Sequence, residues 1–147
     1  MFNIQPPTII DFYPSIVAKD KDDKSILIID VRFSAMYFSP DLKILKMEEY
    51  QHIPFLMFVN SHVMRIFKSP TFTEVARLDT KKVLGYYNPK SIEGIIYQST
   101  LITLIQSWLR DLAYHWKSET PPYIEEIKEI GLFTHLCDGT TEELELL

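Results

Sequence analysis

From Ser25 to Phe33 the chain reads SILIIDVRF, an almost unbroken apolar run. Such a strand is buried on both faces and belongs in the middle of a sheet. Upstream, Ile9–Lys19 mixes β-branched and aromatic residues, and the charged stretch Asp20 to Lys24 separates the two runs. Together they predict a hairpin. Ser39 and Pro40 then suit a helix N-cap and first turn. Leu42, Leu45 and Tyr50 share one face of a helix predicted over 40–52. Ile53–Asn60 (IPFLMFVN) is a second apolar strand. His62–Lys68 alternates apolar with polar residues, and Phe72–Asp79 alternates as an edge strand would.

The period changes in the second half. Ile92, Ile95, Ile96, Ile102, Ile105, Leu109, Leu112 and Trp116 form one stripe at helical spacing, widened by Leu101, Leu104 and Trp108. They predict a long helix over 92–117 whose broad face packs on the sheet and on a second element or subunit. A homodimer through the Ile92–Trp116 helix is therefore one expected assembly. Pro121 and Pro122 open a shorter helix that ends near Glu129, before Gly131. The predicted order is β-β-α-β-β-β-α-α, with the strand after the first helix parallel to the central one. This is an α/β (α+β) domain: a mixed central sheet over 9–79 flanked by helices, with a C-terminal helical region over 92–147. A length of 147 residues suits one such domain, 1–147.

Composition narrows the chemistry. A single cysteine, Cys137, excludes a disulfide framework and a cysteine-rich zinc site. The four histidines (His52, His62, His115, His135) lack metal-ligand spacing. The N-terminus lacks the pattern of a signal peptide, and charges interrupt the greasiest stretch, so a soluble, cytoplasmic protein without a membrane span is expected. Net charge is −5. It is unevenly spread. Residues 1–118 hold 14 basic and 12 acidic side chains, whereas 119–147 hold Lys128 and 8 acids. The body is slightly basic, so the overall charge does not exclude a nucleic-acid partner.

Asp30 and Arg32 carry the most information. Residues two apart on a strand point to one face. A carboxylate and a guanidinium thus project side by side from a buried strand. A buried carboxylate needs a cation or hydrogen bonds, so Asp30 has a metal ion, Arg32 or another basic group as partner. A structural ion pair and an active site are both open readings of this spacing. Ser15, on the paired strand, falls near Asp30, and Asp11, Tyr13, Ser15 and Val17 share a face by alternation. His62, Arg65 and Lys68, on or beside a later strand, are open to two readings, contact with a phosphate or plain surface decoration, and Lys81, Lys82 and Lys90 add positive charge near a turn.

The stretch Tyr13–Lys68 resembles the PD-(D/E)XK, or restriction-endonuclease-like, nuclease superfamily. It is closest to the N-terminal nuclease domain of type I restriction motor subunits. Those domains carry Pro-Asp on one strand, a turn rich in Asp, Gly and Lys, and an apolar run ending Glu-x-Lys. A helix with Gln-x-x-x-Tyr and two further strands follow. Here the corresponding segments are YPSIVAKDKDDKSILIIDVRF, KMEEY, HIPFLMFVN and HVMRIFK, in order, over 56 residues. Ser15 stands in place of the first Asp, Asp30 fills the Asp/Glu position, and Arg32 replaces the Lys. Lys46 replaces the Gln, and Tyr50 is kept.

The resemblance implies a metal-dependent phosphodiesterase. Mg²⁺ would be held by Asp30, the Val31 carbonyl, and Ser15 or Asp11, with Arg32 or Lys46 stabilising the developing charge. A hydroxyl is a poorer Mg²⁺ ligand than a carboxylate. Arginine cannot act as a base, although it can clamp a phosphate. The expectation is a degenerate, impaired nuclease site that binds Mg²⁺ weakly. The alternative is a non-catalytic module on the same fold that binds DNA or a protein.

Overall fold

The computed structural model describes residues 14–32, 51–94 and 96–144. The helix expected over 40–52 lies outside them except for its end, as do the start of the first strand and the KMEEY segment.

Six strands form one mixed sheet: β1 (Ile16–Lys19), β2 (Ser25–Val31), β3 (Phe55–Val59), β4 (Val63–Lys68), β5 (Thr73–Asp79) and β6 (Thr140–Glu143). Their spatial order is β5-β4-β3-β2-β1-β6. β2 and β3 run parallel, with Asp30 opposite Phe58, and the remaining pairs are antiparallel. The apolar runs on β2 and β3 thus do what their patterns predict. Ile26 to Val31 and Phe55 to Val59 are all buried, on both faces of the sheet.

Among the described residues, four α-helices lie between β5 and β6: α1 (Thr80–Tyr87), α2 (Gln98–Tyr114), α3 (Ile124–Glu129) and α4 (Leu132–Leu136). Alternation divides the sheet into two faces. Leu27, Ile29, Val31, Met57, Val59, Met64 and Ile66 pack with Leu101, Ile105, Trp108 and Leu109 of α2 and with the other three helices. Val17, Ile28, Leu56, Phe58 and Phe67 form a second cluster on the opposite face, joined by Leu144. Each large apolar side chain buried in this way contributes roughly 1.5–3 kcal/mol.

The broad stripe of α2 is spent within the chain. Leu101, Ile102, Leu104, Ile105, Trp108, Leu109, Leu112 and Ala113 are all buried. The helix is shorter than its periodicity suggests. Pro89–Ile92 is a 3₁₀ turn, Gly94 takes a positive φ of 88°, and α2 begins only at Gln98. At the other end His115 adopts the left-handed conformation (φ 52°) and closes the helix. Trp116 therefore falls outside the helical period and is half exposed, whereas Trp108 is fully buried and donates its indole N–H to the Pro122 carbonyl at 2.8 Å.

Two elements differ from expectation. Lys81 and Lys82, expected near a turn, lie in α1, which is capped by the Asp79 side chain accepting from Lys81 N at 3.0 Å. The C-terminal region over 92–147 is not wholly helical either. Its residues Thr140–Glu143 are β6, the edge strand beside β1. No helix among the described residues is long and apolar enough to cross a membrane.

Candidate functional site

β1 and β2 bring Ser15 and Asp30 together. Ile16 pairs with Ile29, so the residue before Ile16 lies beside Asp30. The hydrogen bonds fix this placement. Ser15 N donates to Ile29 O at 2.7 Å, and Val31 N donates to Ser15 Oγ at 3.2 Å. Ser15 thus holds the backbone on both sides of Asp30. Its own carbonyl accepts from Leu144 N at 2.8 Å, just beyond β6. Both Ser15 and Asp30 are buried, at 4% and 1% exposure.

Arg32 follows two residues later and lies on the same side of the strand, as alternation predicts. Its Nε donates to Asp30 Oδ1 at 2.7 Å and its Nη2 to Asp30 Oδ2 at 2.9 Å. This is a two-point, charge-assisted fork. The backbone of Arg32 is anchored as well, with its N–H donating to Val59 O at 2.7 Å.

The Val31 carbonyl has a partner that sequence reasoning missed. Gln98, the first residue of α2, donates its side-chain amide to Val31 O at 3.0 Å. The residue lies outside the stretch that carries the family resemblance, and a single glutamine at a helix start has no distinguishing pattern. Its position becomes legible only once α2 is seen to begin there.

The same sheet face carries a second charged group. Asp30 lies opposite Phe58, Phe58 opposite Arg65, and Arg65 opposite Arg77. Glu74 joins the two arginines, accepting from Arg65 Nη2 at 2.7 Å and from Arg77 Nε at 2.7 Å. These bonds, with that to Arg77 the strongest cause, hold the Glu74 carboxyl at about 2, below its ordinary value of 4.5. Arg65 is therefore committed to an ion pair. Lys68 instead donates to the Ile130 carbonyl at 3.3 Å.

The residues expected to bind metal do not fit Mg²⁺ where the structure describes them. Mg²⁺ requires oxygen ligands around a small cation. Here both oxygens of Asp30 accept from a guanidinium, Ser15 Oγ accepts from a backbone N–H, and Val31 O accepts from an amide. Asp11, Lys46 and Tyr50 lie outside the described residues. Ser15, Asp30, Val31 and Arg32 converge as expected, and Gln98 joins them.

A second buried carboxylate is Asp111. Its Oδ2 accepts from the Tyr87 hydroxyl at 2.7 Å, and its Oδ1 accepts from Lys117 N at 2.9 Å and Ser118 N at 3.1 Å. Burial first, and the Asp111 carboxylate second, push the Tyr87 hydroxyl well above the ordinary 10.0. The group pins the turn after α2 onto α1. Comparison of the chain with protein-family models, with curated proteins and with solved structures finds no match.

Proposed function

We propose that the chain is a restriction-endonuclease-like domain of the PD-(D/E)XK type whose phosphodiesterase site is impaired, and that it serves as a binding or assembly module. The observation that carries this reading is the fork of Arg32 on Asp30, at 2.7 and 2.9 Å. In the resembled nucleases the carboxylate at this position holds a metal ion. Here the neighbouring side chain supplies a permanent positive charge to the same oxygens. Arginine stays protonated, so it supplies no base, and its planar fork matches a carboxylate at two points.

Two features strengthen the reading. Ser15 offers a hydroxyl rather than a second carboxylate, and that hydroxyl is already a backbone acceptor. The Val31 carbonyl is likewise engaged by Gln98. Mg²⁺ affinity at Asp30 is accordingly weak, and DNA or a protein is the partner.

The test is a cleavage assay on linear and supercoiled DNA with Mg²⁺ or Mn²⁺, the wild type run beside Asp30→Asn. Equal, background-level cleavage is expected. Metal-dependent cleavage by the wild type that Asp30→Asn abolishes would overturn the proposal and restore a working nuclease. A DNA titration at low and moderate salt separates the partner classes, since phosphate contacts weaken steeply with salt.

A further inference from the structure

β5 is an outermost strand of the sheet, and no described strand pairs with its outer side. In an edge strand, alternate residues turn unpaired N–H and C=O groups outward. A groove of about 260 Å³ runs along this edge. Val75, Ala76, Arg77 and Leu78 of β5 line one side, and Glu126, Glu129 and Ile130 line the other.

The two sides differ chemically. Ala76 lies opposite Ile66, and Leu78 opposite Met64, so both face the helices. Arg77 faces the other way and pairs with Glu74. On the helix side the groove thus has an apolar floor and an acidic wall. Glu126 and Glu129, three apart, share one face of α3. Lys128 of that helix pairs with Glu125 at 3.9 Å. Among the described residues neither Glu126 nor Glu129 has an ion-pair partner.

We propose that this groove is a strand-addition site for an extended peptide with basic side chains at alternate positions. The β5 backbone supplies the hydrogen bonds, and side chains of period two supply the selectivity. Basic residues of the added strand point toward Glu126 and Glu129, and the intervening ones lie level with Arg77. The same charges disfavour a second copy of the chain. An antiparallel β5–β5 pairing about a two-fold axis keeps equivalent faces on the same side. It would bring Glu126 and Glu129 of both copies to one face of the seam. The inference does not depend on the chemistry at Asp30.

The probe is a capped heptapeptide of alternating lysine and threonine, fluorescently labelled and titrated with the full chain at low salt. Saturable binding is expected, with none for the matching glutamate–threonine peptide. Glu126→Gln with Glu129→Gln, both exposed positions, should weaken binding about 2–30-fold, the range for two exposed ion pairs. Two N-methylated versions of the peptide test strand addition without altering the protein. One carries methyl groups on the lysine amides and the other on the threonine amides. Only one set faces β5, so one version should lose binding and the other keep it. Equal binding of both versions, no saturable binding, or indifference to the double glutamine variant would overturn the proposal. Sedimentation as a dimer that the lysine–threonine peptide dissociates would also overturn it, by assigning the edge to a second copy.

Discussion

Gly139→Ala should cost the protein about 2–4 kcal/mol of stability, because Gly139, just before β6, lies against the backbone at the end of β1. A Cβ at this position would overlap the Lys19 carbonyl oxygen, and it would stand 3.1 Å from the Leu136 carbonyl oxygen. Both obstacles are backbone atoms, so no rotamer change relieves them. The strand must move. The β1–β6 ladder pairs Ile16 with Glu143 through Lys19 with Thr140. The same movement strains Leu144 N to Ser15 O at 2.8 Å and Asp138 N to Ala113 O at 3.1 Å. At about 1 kcal/mol net per hydrogen bond, the two to four at stake give roughly 2–4 kcal/mol. The exposed Lys19–Glu142 pair at 3.4 Å adds little. Urea unfolding at neutral pH measures the loss as a lower midpoint at unchanged slope. Hydrogen exchange locates it: the β1 amides facing β6 should lose protection while those of β3 keep theirs. Gly131→Ala is the control. Gly131 has a positive φ of 88°, but the nearest atom to its Cβ site is the flexible Lys68 Nζ at 3.6 Å. Its cost is backbone strain alone, about 1 kcal/mol. A Gly139→Ala loss under about 0.5 kcal/mol would refute the close approach.

Other expectations follow from individual groups. Glu74→Gln should lower stability at neutral pH. The folded carboxyl sits at about 2, below its ordinary 4.5, so its contribution is present above 4.5 and fades as pH falls toward 2. Urea midpoints of the two proteins should therefore converge on acidification, and a constant gap would contradict the Arg65–Glu74–Arg77 pairing. Tyr87→Phe removes the hydroxyl bound to Asp111 and should cost about 1.5–3 kcal/mol in thermal or urea unfolding. Its raised folded value places that contribution below pH 10, with loss at higher pH. Thr80 Oγ1 is buried without a hydrogen-bond partner, so Thr80→Val should be neutral or stabilise by about 1 kcal/mol in the same assay. Wherever DNA binds at low salt, Glu142→Gln with Glu143→Gln should leave its affinity unchanged if these carboxylates are simply exposed side chains of β6. Tighter binding would show that they compete with phosphate.

The central sheet was legible because its strands are buried on both faces, and burial writes a continuous apolar run. The parallel pairing of β2 and β3 was legible from the intervening segment. β6 was not, because Thr140–Glu143 is polar and exposed. It is held by backbone pairing and a glycine's missing Cβ, which hydrophobicity does not record. The start of α2 was misplaced for the opposite reason. Ile92, Ile95 and Ile96 continue the apolar period upstream of the helix, while the Glu93–Gly94 break contributes no apolar signal. α1 announces itself only through Asp79 as N-cap, since its apolar residues are too few for a clear stripe. At the candidate site, alternation placed Asp30 and Arg32 on one side, and the hairpin placed Ser15 beside them. Gln98 came from an element outside the motif-bearing stretch, so only the fold connects it to Val31.

The C-terminal strand changes what the charge asymmetry means. In the sequence, the 8 acids after residue 118 stand apart from a slightly basic body. In the fold, that segment supplies α3, α4 and β6, and the residue after β6 binds the Ser15 carbonyl. Ser15 in turn accepts from the amide between Asp30 and Arg32 in sequence, that of Val31. The acidic end and the candidate site are therefore coupled through two hydrogen bonds. Truncation at residue 138 would remove a sheet edge and release Ser15 at once. A resulting change in DNA or metal binding would report the damaged site as readily as the lost charge. Point neutralisation at Glu142 and Glu143 separates the two, because it removes charge and keeps the ladder. By the same reasoning, stability and binding must be measured together on every variant of β1, β2 or β6. The ion pair at Asp30 is held in place by its supporting strands as much as by its own geometry.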